Sequence, residues 1–217
     1  MKKVKLLYSI CLILILSCHY SNKIPRRNII KIACIGDSIT EGYGVEMEDS
    51  YPSKLQNLLP EKYEVRNYGV SGVTLLKDGD KPYWNEKRYN DALDWGADIV
   101  IISLGTNDSK PINWENKAHY VRDYLGLIQS FRKKSPNAEI FICKMTPAFS
   151  SNFDISNANV KTLLPLIDSI ANKAHVSIID FNTQFTTKSQ LFSDGVHPNE
   201  SGANLLANII SKRILAN

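Results

Sequence analysis

Cysteine is scarce in this chain, with four in 217 residues, and only Cys34 and Cys143 fall beyond residue 18. Neither has a histidine or a second cysteine at ligand spacing, so no metal site and no cofactor is expected. Both sit in apolar runs that read as separate buried strands, which favours two free thiols over a disulfide. No run reaches the roughly 20 apolar residues of a comfortable transmembrane helix. No basic cluster interleaved with aromatics occurs either. The formal charge of +4 shrinks to +1 without the first residues, since losing Lys2, Lys3 and Lys5 leaves 23 basic against 22 acidic side chains. That balance gives no electrostatic reason to expect nucleic acid, which requires a basic face. Internal repeats, low-complexity tracts and breaks in composition are absent too, which leaves one core of ordinary size.

What the N-terminus does contain is the pattern of a processing signal. The three lysines precede an apolar segment, Leu6–Leu16, and then Ile15-Leu16-Ser17-Cys18. This order fits a secretory signal over residues 1–17. The last four residues look like a lipobox, with Cys18 as the acylated residue. A polar tether over 18–28 and a domain over 29–217 follow. The expectation is an exported protein, held to a membrane through a lipid anchor if Cys18 is acylated.

Short apolar runs alternate with longer amphipathic stretches. Runs at 29–35, 63–67, 98–104, 139–145 and 176–180 read as strands. Helices are expected from Ser50 through Leu59, with Ser50 as N-cap, and over 117–134, 157–174 (where Pro165 can kink it) and 201–215. This alternation predicts an α/β protein, a three-layer flavodoxin-like fold with a five-stranded parallel sheet of order 2-1-3-4-5 between helices. In such sheets sites form beyond the carboxyl ends of the strands.

Polar residues beside glycines fall there. The first strand ends at Gly36-Asp37-Ser38, the second runs into Gly69-Val70-Ser71-Gly72, and the third ends at Gly105-Thr106-Asn107-Asp108. Asp194-Gly195-Val196-His197 precedes the last helix. Acyl transfer from a serine needs a base beside the hydroxyl, a carboxylate to orient that base, and donors for the developing oxyanion. Ser38, His197, Asp194, the Gly72 N–H and the Asn107 amide supply one group for each role. Gly69 is a rival for Gly72. Taken singly each residue has a plainer reading, as a cap, a turn former or a loop residue.

These four blocks, in this order, resemble the SGNH (GDSL-like) hydrolases, and the resemblance spans residues 31–215. It implies Ser38 as nucleophile, His197 as base and Asp194 as the third member of the triad. The oxyanion hole would be built from the N–H groups of Ser38 and Gly72 and the side chain of Asn107. Gly72 is preferred to Gly69 because Ser71-Gly72-Val73-Thr74 is closer to the family pattern. The segments GDSITEGYG, KPYWN, GTNDSKPINW and DGVHPN further resemble bacterial sialate and carbohydrate O-acetylesterases.

For the substrate, Tyr83, Trp84 and Trp114 lie in aperiodic segments that follow the second and third blocks. They are candidate sugar-stacking residues, or else they pin surface crossovers. The expected partner is an acetylated carbohydrate or another small ester. A lysophospholipase, short-chain acyl esterase or thioesterase on the same fold remains the alternative, and a glycan-binding protein without activity is a third reading.

Overall fold

The computed structural model describes residues 29–216. The signal, the tether and Cys18 lie outside these residues. The elements in chain order are β1 (Ile30–Gly36), α1 (Ser38–Glu41), α2 (Tyr51–Leu58), β2 (Tyr63–Gly69), α3 (Lys87–Trp95), β3 (Ile99–Ser103), α4 (Pro111–Trp114), α5 (Tyr120–Lys134), β4 (Glu139–Lys144), α6 (Asn157–Ala174), β5 (Ser177–Asp180), α7 (Phe181–Phe185) and α8 (Glu200–Leu215).

All five strands are parallel, in the order β2-β1-β3-β4-β5. This is the predicted flavodoxin-like order. The register aligns Gly36 of β1 with Gly69 of β2 and Ser103 of β3. Three chemistry-bearing segments therefore leave the sheet at one level.

Strand side chains alternate between two apolar layers. Ala33, Ile35, Val100, Ile102 and Ile142 pack with Tyr124, Leu127, Leu163 and Ile167 of α5 and α6. Ile32, Cys34, Ile101, Phe141 and Cys143 pack on the other face with Tyr51 and Leu55 of α2 and with Leu206 and Ile210 of α8. Helices on both faces explain why β3 reads as unbroken apolar sequence. Cys34 and Cys143 are buried and free. β3 lies between their strands, so they stand about two strand spacings apart, roughly 10 Å, beyond the reach of a disulfide.

One local expectation needs correction. Ser50 occupies the N-cap position of α2 but caps nothing. Its hydroxyl donates to the Met47 carbonyl at 2.8 Å, because a 3-10 turn over Met47–Asp49 presents an open acceptor there. α6 runs as one 18-residue helix through Pro165, which lies on its exposed side. Helix α3 has no counterpart in the sequence reading, although Tyr89, Ala92, Leu93 and Trp95 lay a short apolar face on the core.

Candidate active site

β1 delivers the first group. Asp37 ends the extended run and caps α1, its Oδ1 accepting the Ile39 N–H at 3.0 Å. Ser38 is thereby the first residue of α1. Its own N–H has no intrahelical acceptor and faces outward. Asp37 is buried, and burial pushes its carboxyl up to about 6 against the pull of the Ile39 N–H. Thr106 stands beside it and lowers it too, yet no donor reaches Oδ2 with hydrogen-bonding geometry.

The turn before α8 delivers the second and third groups. His197 Nε2 lies 3.0 Å from Ser38 Oγ, and His197 Nδ1 lies 2.7 Å from Asp194 Oδ2. The other Asp194 oxygen accepts the N–H groups of Val196 at 2.8 Å and His197 at 2.7 Å. One carboxylate thus fixes both the backbone turn and the ring. Burial raises the Asp194 carboxyl, but the hydrogen bonds from His197 and Val196 outweigh it and hold the group below the usual carboxylate range. An ionised Asp194 requires a proton on Nδ1, which leaves the Nε2 lone pair facing the serine hydroxyl. Ser38 and His197 are 8% and 5% exposed, so their contact is largely shielded from water.

The segment after β2 carries the oxyanion candidates, and the structure separates the two rival glycines. The Gly69 N–H is committed to Asn67 Oδ1 at 2.9 Å. A Cβ there would come within 2.2 Å of the Glu41 nitrogen, so Gly69 is a packing residue. Gly72 has a φ of +80° and open space around it, and its N–H finds no acceptor among the described residues. Its surroundings are braced. Glu41 Oε2 accepts the Ser71 N–H at 2.8 Å and the Ser71 hydroxyl as well. Lys81 Nζ donates to the Ser71 carbonyl at 2.9 Å.

From β3, Asn107 Nδ2 donates to the Val73 carbonyl at 3.0 Å, which leaves its second N–H free. The buried carboxylate of Asp108 accepts the N–H groups of Leu75 and Leu76 at 3.0 and 2.7 Å. Burial pushes Asp108 up to about 7, against the pull of those two donors. Adjacent residues of one block therefore clamp the segment that presents Gly72.

The expected sugar-stacking set needs revision. Tyr83 is fully buried, and its hydroxyl donates to the Tyr68 carbonyl at 2.8 Å, so it cannot meet a substrate. Trp84 packs on the core, donates its indole N–H to the Leu75 carbonyl at 2.8 Å and carries Lys77 over its ring. Trp114 also packs on the core, with Lys117 over its ring. Trp84 and Trp114 keep part of their surface exposed. Tyr83 is buried because Asp108 and Asp123 draw the strap after Gly72 inward by its backbone N–H groups.

The aromatics beside the candidate base are Tyr43 and Phe153. Their ring centroids lie 4.4 and 4.9 Å from that of His197, and 5.8 Å from each other. Tyr43 lies inside the GDSITEGYG segment, two residues beyond α1. No periodicity or motif marked Phe153.

Comparison with known proteins agrees with this architecture. The model of the GDSL-like Lipase/Acylhydrolase family matches residues 34–205. An acetylxylan esterase of Xylanibacter ruminicola is 36% identical over 211 residues, which make up 88% of this chain and 44% of that protein. The chain thus spans less than half the length of this relative. Among solved structures, the lipase/acylhydrolase of Enterococcus faecalis superposes with a TM-score of 0.71 at 22% identity, covering 87% of this chain and 96% of the other. An acetyl xylan esterase, AlAXEase, gives 0.66 at 23% identity, covering 85% of this chain and all of the other. Both likenesses concern the fold.

Proposed function

Because this chain belongs to the GDSL-like lipase/acylhydrolase family, a family of ester-hydrolysing enzymes, we propose that it is a serine esterase that removes O-acetyl groups from carbohydrates. The observation that carries this reading is the unbroken relay from Asp194 through His197 to Ser38, with contacts of 2.7 and 3.0 Å. The acetylxylan esterase relative supports the choice of an acetylated glycan.

The reaction has two halves. His197 Nε2 takes the proton of Ser38 as Oγ bonds to the acetyl carbonyl carbon, and the imidazolium is stabilised by Asp194. The resulting oxyanion faces the N–H groups of Ser38 and Gly72 and the free amide N–H of Asn107. The carbon–oxygen bond to the sugar then breaks, and His197 returns its proton to the departing sugar oxygen. In the second half a water gives its proton to His197, attacks the acetyl-serine, and acetate leaves as Ser38 regains its hydrogen. Charge and protons balance over the cycle, and each step uses groups of this chain.

The test is acetate release from acetylated xylan and from O-acetyl sialic acid, with p-nitrophenyl octanoate as a lipid-like control. Wild-type turnover of a sugar ester that is lost in Ser38→Ala supports the reading. Turnover confined to octanoate would transfer the enzyme to lipid esters, and the absence of serine-dependent turnover on any ester would overturn it.

The lysine-led apolar segment and Ser17-Cys18 support an exported enzyme anchored through Cys18. Labelled palmitate should enter the wild-type protein and not Cys18→Ser. Equal labelling of the two would remove the anchor.

A further inference from the structure

The deacetylation proposed above assigns the two sides of the reacting ester different neighbours. The carbonyl oxygen turns toward Gly72 and Asn107. The oxygen that leaves must face His197 Nε2, because that atom hands it a proton. Groups packed against the imidazole therefore border the leaving alcohol, whatever the acyl group.

Tyr43 and Phe153 are those groups. Tyr43 lies over the imidazole at 42° to its plane, and Phe153 meets it edge-on at 76°. Each ring is 48% exposed, so each turns part of its apolar surface to solvent beside the base. Most large apolar side chains of this chain are buried, and two exposed rings meeting at one histidine present a shaped apolar surface.

The Phe153 ring is also held in place. Asn152 Nδ2 and Ser150 Oγ both donate to the Asp194 carbonyl at 2.7 Å, and the Phe149 N–H donates to the Gly195 carbonyl at 2.7 Å. The loop that bears Phe153 is thus tied to the turn that bears His197. Phe153 and Asp154 both have a φ of +59°, a left-handed conformation that non-glycine residues adopt at a cost. Such strain concentrates where a side chain must be aimed, and here it aims a phenyl ring at the base. Beside the loop a depression of about 520 Å³ is lined by Pro111, Phe149 and Ile155 together with Ser150, Asp154 and Asn157. Apolar surface and polar groups therefore share it, as they share the surface of a sugar ring.

The geometry points to Tyr43 and Phe153 as a leaving-group subsite that stacks the pyranose ring whose hydroxyl carries the acetyl group, with the neighbouring mixed depression receiving the rest of the sugar. A pyranose has a flat face of C–H bonds and an equatorial belt of hydroxyls, and paired rings beside a lining of mixed polarity complement both.

This subsite rests on the esterase reading, and the experiment keeps the two apart. The full domain and its Tyr43→Ala and Phe153→Ala variants are assayed on acetylated methyl xyloside and on ethyl acetate, whose leaving group is too small to stack. The ratio of kcat/KM for the xyloside to that for ethyl acetate should fall about tenfold in each variant, the size of one lost ring contact. Tyr43→Phe, which keeps the ring, should restore the ratio to within about threefold of wild type. An equal fall on both substrates would overturn the subsite, since the rings would then merely support His197. An unchanged ratio would overturn it too. Full activity of Ser38→Ala on either ester would instead defeat the esterase reading itself, a separate outcome.

Discussion

Lys81 holds the carbonyl of Ser71, its Nζ donating at 2.9 Å, and the same peptide unit presents the Gly72 N–H at its far end. In a trans peptide the carbonyl and N–H point in opposite directions. A cation on the oxygen therefore polarises the N–H that would meet the oxyanion. Lys81→Met should lower kcat roughly tenfold, about 1.4 kcal/mol, with KM little changed. Lys81→Arg should recover most of the loss. Lys81 is half exposed, so the wild-type advantage should shrink at high salt. A matching rise in KM, or the same loss in the arginine variant, would mean that the lysine only braces the loop.

Asn107 holds the Val73 carbonyl, and in the proposed mechanism its second N–H meets the oxyanion. Asn107→Ala should reduce kcat by roughly 10²–10³, as removal of one oxyanion donor does. Steady-state kinetics on acetylated xyloside decides this, and near-normal kcat would remove Asn107 from the oxyanion hole.

The two glycines after β2 should respond differently to alanine. At Gly69 a Cβ would lie 2.2 Å from the Glu41 nitrogen and 2.7 Å from the Thr40 carbonyl carbon, both rigid backbone. Gly69→Ala should cost roughly 3 kcal/mol and lower Tm by about 6–12 °C. At Gly72 the space is open and only the positive φ is strained, so Gly72→Ala should cost about 1 kcal/mol. Thermal unfolding followed by circular dichroism compares them, and equal losses would contradict the packing account.

Asp37 gives stability a pH dependence. Its carboxyl is raised to about 6 in the folded chain from about 3.8. Between these values the folded state binds more protons than the unfolded one, so stability falls as pH rises through this window. Asp108, raised to about 7, acts in the same direction. Asp194, held low, acts oppositely and costs stability only as pH drops through its folded value. Asp37→Asn keeps a capping oxygen for Ile39 but cannot titrate. Urea unfolding at several pH values from 4.5 to 7 should show a shallower slope in the variant, by at most about 1.4 kcal/mol per pH unit. Parallel slopes would show that Asp37 stays ionised throughout.

The strands and their order were legible because each buried strand is a short apolar run, and because covering both faces leaves no polar alternation to blur it. Ser38, Asn107, Asp194 and His197 were legible because each stands beside a glycine-bearing turn just past a strand or before a helix. Contacts between distant loops were not. Phe153 reaches His197 only because Ser150 and Asn152 dock on Asp194, which no local pattern announces. Tyr83 misled for the converse reason. An aperiodic segment rich in aromatics reads as a surface wall, but carboxylates from α5 and the third block pull its backbone inward and bury the ring. Helix α3 escaped because its apolar face, Tyr89, Ala92 and Leu93, spans little more than one turn and runs on from the aperiodic strap.

Ser38 and His197 are 159 positions apart in the chain. A polypeptide emerging from a ribosome presents Ser38 early, long before the turn carrying Asp194 and His197 can dock beside β1. The contact between hydroxyl and imidazole exists only once that turn is in place. On the esterase reading proposed above, activity would be a late reporter of assembly, and a clipped or half-made molecule would sit silent among the esters around it.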